Sequence, residues 1–115
     1  MMGIGLQSWI YLIAAGLLEI GWPVGLKMAQ VPGKTAPGIL IAVIFMIASG
    51  GLLFLAQRQI PIGTAYAVWT GLGAVGTFLI GIMVYGDPTS LLRYLGVTLI
   101  LAGVITLKLA HRYLA

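Results

Sequence analysis

Glu19 is the one acidic residue inside a long apolar run of this chain, and Asp87 is the only other acid. Its run, Gln7–Ala29, holds apolar residues or glycine at nearly every neighbouring position. A carboxylate inside a hydrocarbon-spanning segment costs about 2.5–3.5 kcal/mol on insertion scales, so it marks a site for a proton or a cation. Gly16, Glu19, Trp22 and Leu26 lie three or four apart, on one helical face. That face puts a small residue, a carboxylate and an indole together, and the indole N–H can donate to the carboxylate or to a ligand. Trp22 also suits a membrane-interface belt, but its depth in the run favours the site, whereas Trp9 suits the belt. Pro23 follows Trp22 and removes a helical donor, which reads either as a kink beside Glu19 or as packing variation.

Three further groups bear on this carboxylate. Ser49 precedes Gly50-Gly51 midway along the second apolar run. Taken alone it reads as a small packing residue that bonds its own backbone, with a bond to Glu19 or substrate as the sharper alternative. Tyr66 and Trp69 lie three apart on the third run, and Gly73 and Gly76 continue their face. Aromatic faces attract cations by about 0.5–2 kcal/mol, most when desolvated. Gly71, Gly73 and Gly76 give that helix close approach and flexibility. Their GxGxxG spacing is not a dinucleotide fingerprint, because no strand precedes it. Gly96 and Gly103, seven apart on the fourth run, form a seam that reads as a dimer contact.

The elements that position these residues follow from composition. The 115-residue chain is 61% hydrophobic and 7% charged, too apolar for a soluble domain of its size. Four runs, approximately 7–29, 37–57, 62–85 and 90–110, are each long enough to cross about 30 Å of hydrocarbon as a helix. They are continuous rather than alternating, which excludes barrel strands. A single four-helix transmembrane domain, all-α, is therefore predicted over residues 1–115. The first run lacks the basic flank of a signal peptide and carries an acid inside it. With no cysteine, one histidine and two acids, the chain has neither a disulfide nor a standard metal site. No cofactor motif and no nucleophile–base pair is present, so an enzyme is not favoured. The net charge of +4 sits at helix ends, which fits lipid head groups and not nucleic acid.

Lysine and arginine are balanced between the two sides. Arg58, Lys108 and Arg112 fall on the side of the N-terminus, Lys27, Lys34 and Arg93 on the other, with His111 a further charge that can settle orientation. Orientation follows the basic bias of short loops, so a chain without bias can insert both ways. Two copies in opposite orientations would form an antiparallel homodimer. That would supply the inverted relation which many transporters carry as a repeat within one chain.

Two stretches carry a family likeness: Gly16-Leu-Leu-Glu19-Ile-Gly-Trp22 with Gly25-Leu-Lys27, and Pro61-Ile-Gly-Thr-Ala-Tyr66-Ala-Val-Trp69-Thr-Gly-Leu-Gly-Ala-Val-Gly76. The chain resembles the small multidrug resistance transporter family over essentially its whole length. It looks more like the guanidinium exporter branch than the polyaromatic-drug branch. The resemblance implies an antiparallel homodimer in the cytoplasmic membrane that exports guanidinium ions in exchange for protons. By motif it implies Glu19 as the shared proton and substrate site. It places Trp22, Ser49, Tyr66 and Trp69 at substrate-binding positions, Ser49 as orienter of Glu19. Pro23 departs from the small residue common in relatives, and Asp87 from a common glutamate. A broader quaternary-ammonium exporter of the same fold is the alternative, and a non-transporting membrane subunit or passive pore is the alternative of another class.

Overall fold

The computed structural model describes the backbone of residues 2–114 and the side chains of residues 5–110. Arg112 and His111 lie outside the described side chains. Five helices follow in order: α1 Met2–Glu19, α2 Gly21–Ala29, α3 Thr35–Ala56, α4 Ile62–Tyr85 and α5 Leu91–Leu114. They make four spans, because α1 and α2 together form one apolar segment, Gly5–Ala29. The sequence reads as one helical span there with Pro23 as a candidate kink, and the structure breaks the helix at Ile20. Pro23 is the cause: it lacks the N–H that the carbonyl four residues earlier would receive. The break is mild, since Ile20 keeps right-handed helical angles of φ −62° and ψ −32°.

Local chemistry sets the remaining boundaries. Thr35 Oγ1 donates to Ala29 O at 2.8 Å, closing the turn between α2 and α3. Pro37 sits in the first turn of α3, where a missing donor is harmless. Helix α4 ends on Gly86 at φ +67°, in the left-handed region that glycine adopts freely. Asp87 N–H then donates to Gly81 O at 3.0 Å, and Pro88 prevents continuation. Ser90 Oγ accepts from Arg93 N–H at 3.1 Å and so starts α5.

Helices α1 and α2 pack on α3, α1 also packs on α4, and α5 lies outboard against α4. The two ends of the bundle are joined differently. At the end carrying the α3–α4 turn, side chains interlock: Trp9, Leu12, Ile60, Ala65 and Val68 form the buried core. Trp9, which its sequence position suits to an interfacial belt, is only 6% exposed, and the Lys108 ammonium lies 5.2 Å from its ring centroid. At the other end the backbones themselves touch. A Cβ built on Gly25 would lie 2.7 Å from Ala42 N and 2.9 Å from Gly38 O. Only glycine allows such an approach. Lys27 sits over the Tyr85 ring at 5.9 Å at that end, so each end has one lysine held on an aromatic face.

Candidate functional site

Glu19 is the last residue of α1, immediately before the break. Its side chain is half-buried and crosses α4 at Gly73, where a built Cβ would stand 2.5 Å from Glu19 Cγ. Glycine at 73 is therefore what lets the carboxylate lie against α4. Gly76, one turn on, makes room in the same way for the Ile20 side chain, and Gly16 for Leu72. Gly71 faces the other way, toward Val104 and Ile100 of α5. The glycines grouped in sequence thus serve two different contacts.

Around the carboxylate lies a recess of 270 Å³ walled by Glu19, Trp22 and Pro23 on one side and Thr70, Gly73 and Thr77 on the other. Thr70 and Thr77 are seven residues apart, one face of α4, and sequence reading missed both. The signal was available: they flank Gly73 at three and four residues on the Tyr66–Trp69 helix. Thr70 Oγ1 donates to Tyr66 O at 2.6 Å, so its hydroxyl presents only acceptor lone pairs to the recess. Thr70 is exposed on the protomer's outer face, as is Ala74 beside it, and the recess opens there. A second recess of 160 Å³ adjoins it through Pro23 and Thr77 and runs toward Lys27, Tyr85 and Asp87.

Ser49 is placed otherwise than the orienter role requires. It is fully buried, its Oγ donates to Ala15 O at 2.6 Å, and it accepts from Trp69 Nε1 at 2.8 Å. A hydroxyl has one proton, and here it goes to the carbonyl one turn before Glu19 and not to the carboxylate. The result is a stitch from α4 through α3 to α1. Trp69 is anchored by that bond and stays off the recess wall, with the Tyr66 ring tilted against it at 5.5 Å between centroids. Tyr66 is largely exposed. Glu19 and Trp22 thus meet in one recess, whereas Ser49, Tyr66 and Trp69 form a neighbouring cluster. Gly96 and Gly103 have no atom within 4 Å of a built Cβ, so their face of α5 is open within the protomer.

Ser49→Ala tests the stitch. It leaves the buried indole N–H without an acceptor, at a cost of about 1–3 kcal/mol. Thermal unfolding in detergent is expected to move down, with a red-shifted Trp69 emission. Unchanged stability would mean that the hydroxyl does not hold the indole.

The arrangement can hold a proton or a flat cation on Glu19 with an aromatic neighbour, and it offers no nucleophile–base pair. Comparison with known proteins gives the family. The family model described as Small Multidrug Resistance protein matches residues 7–100. A protein of Yersinia pseudotuberculosis named guanidinium exporter is 52% identical over 104 residues, covering 90% of this chain and 99% of its own. Proteins of the same name from Proteus vulgaris and Citrobacter freundii are 50% and 48% identical over 104 residues, 90% of this chain and 99% and 98% of theirs. A four-span helical chain matched over nearly its full length in this way belongs to the small multidrug resistance family.

Proposed function

We propose that this multi-pass protein of the cytoplasmic membrane exports guanidinium and small substituted guanidinium cations, each exchanged for protons taken up on Glu19. The observation that carries the reading is the Glu19–Trp22 recess, a carboxylate laid on Gly73 with an indole beside it. The printed name of relatives at about 50% identity supports the substrate class. A guanidinium matches a carboxylate through two parallel N–H bonds. The indole face stabilises the same cation where water is scarce.

The working unit is an antiparallel homodimer of oppositely inserted chains. Two features support it. The recess opens on the protomer's outer face, where a second copy completes it. Both membrane ends also carry basic groups on aromatic faces, Lys27 on Tyr85 at one end and Lys108 on Trp9 with Arg58 on Phe54 at the other. The pair then holds two copies of Glu19 in one chamber. Exchange needs a single rule: the chamber changes sides when loaded with protons or with substrate, and not when empty. Tyr66, Trp69 and Ser49 enter the site as a supporting cluster, Ser49 by fixing Trp69 and α1.

Competition for the same carboxylates fixes the direction of the pH dependence. Protons displace the cation as pH falls, so guanidinium binding weakens toward acid and levels off toward alkali. Where one proton is displaced per cation, the apparent Kd rises about tenfold for each pH unit of acidification. Solid-supported membrane currents with guanidinium at several pH values measure this. Binding that ignores pH would contradict exchange, and current from bulky quaternary ammonium ions with none from guanidinium would favour the broader exporter.

A further inference from the structure

In an α-helix the carbonyl of one residue accepts from the N–H four residues on. For Glu19 that residue is Pro23, which has no N–H. The ladder around the break is correspondingly irregular. Ile20 N–H donates to Leu17 O at 3.2 Å, three residues back, and Val24 N–H reaches Ile20 O at a long 3.5 Å. The Glu19 carbonyl therefore lacks its helical donor, and it belongs to the same residue as the carboxylate. Both Glu19 and Pro23 wall the recess. A carbonyl in a low-dielectric setting needs a donor, and inside a membrane water is a scarce one.

We propose that the backbone carbonyl of Glu19, freed by Pro23, is a second acceptor for the substrate, alongside the carboxylate of the same residue. The inference rests on the reading of the recess as a guanidinium site. A guanidinium ion carries three NH2 groups in one plane. The carboxylate engages one edge through two of the N–H bonds, the second copy's carboxylate can engage another edge in the same way, and the remaining two N–H bonds still need acceptors. The indole of Trp22 offers a face to the positive charge but no in-plane acceptor. A fixed carbonyl at the α1–α2 break supplies one, and each buried donor that it satisfies strengthens binding. Such a site favours cations that retain free N–H groups after the carboxylate is engaged. A quaternary ammonium has none to give it, so Pro23 becomes a specificity-determining residue of this chain.

Pro23→Ala restores the N–H and returns the carbonyl to the helix. In proteoliposomes the KM for guanidinium is expected to rise about tenfold, the size of one hydrogen bond to a charged group, while the maximal current is kept. The rise should shrink across N-methylated guanidinium ions that still drive current, in step with the N–H groups lost. Pro23→lactic acid, which removes both the ring and the N–H, leaves the carbonyl free and is expected to keep the wild-type KM. An unchanged KM in Pro23→Ala, an equal rise across the series, or a tenfold rise in the lactic acid chain overturns the proposal. One measure needs no substitution and so survives misfolding of either variant. With an isotope label on the Glu19 carbonyl, its infrared band should move to lower frequency when guanidinium is added to the wild-type protein, and an unmoved band refutes the contact. A wild-type protein that gives no guanidinium current sinks the functional reading itself; a normal wild type with an indifferent Pro23→Ala sinks only this inference.

Discussion

Glu19→Gln is expected to fold and reach the membrane yet carry no guanidinium-coupled proton flux. Glutamine keeps the length and shape that lie over Gly73, so packing changes little. It has no proton to exchange and no negative charge to pair. Losing a charge-assisted pair in a water-poor recess weakens guanidinium binding by about 3 kcal/mol or more, over a hundredfold in Kd. Proteoliposomes with an imposed pH gradient measure the flux, and size-exclusion in detergent checks the fold. Full coupled transport by this variant would remove Glu19 from the mechanism.

The second large effect concerns the far end of the bundle. Gly38→Leu is expected to abolish stable folding, because a Cβ there would lie 2.6 Å from Ala29 Cα and 2.7 Å from Gly25 O, against the backbone of α2 and no movable side chain. Overpacking in a core costs about 1–3 kcal/mol when side chains can give way. Here the α2–α3 pair itself must separate, so the cost exceeds that range. Gly50→Leu is the matched control: nothing lies within 4 Å of its built Cβ, and the variant should unfold near the wild-type temperature. Equal stability of the two variants would refute the backbone contact.

The four spans were legible because apolar length alone specifies them, and the Gly-Asp-Pro break after α4 was legible from turn chemistry. Glu19 stood out because hydrocarbon makes any acid conspicuous. The partner of Ser49 was not legible: helical spacing says which face a hydroxyl is on, but not whether a carbonyl or a carboxylate of the opposing helix stands nearest. The packing role of Gly25 and Gly38 escaped notice for a related reason. Their role depends on the crossing of α2 and α3, and neither helix reveals that crossing by itself. The Ile20 break was half-legible, since Pro23 announces a missing bond but not the turn at which the helix yields. Trp9 misled because a tryptophan near a span's start looks the same in sequence whether it faces head groups or a core.

The outward opening of the Glu19 recess has a consequence for assembly. A lone protomer in a bilayer would leave the recess, with Glu19 and the acceptor side of the Thr70 hydroxyl in its wall, open toward acyl chains, a solvent that offers no donor. Any surface that covers them with polar groups or a shared proton lowers that energy. In the proposed pair, the feature that equips the chain to handle a cation is thus also a solvation mismatch that a second chain would relieve. Chemistry and association would then depend on the same few atoms, and the site would reach its finished form only when two chains have met.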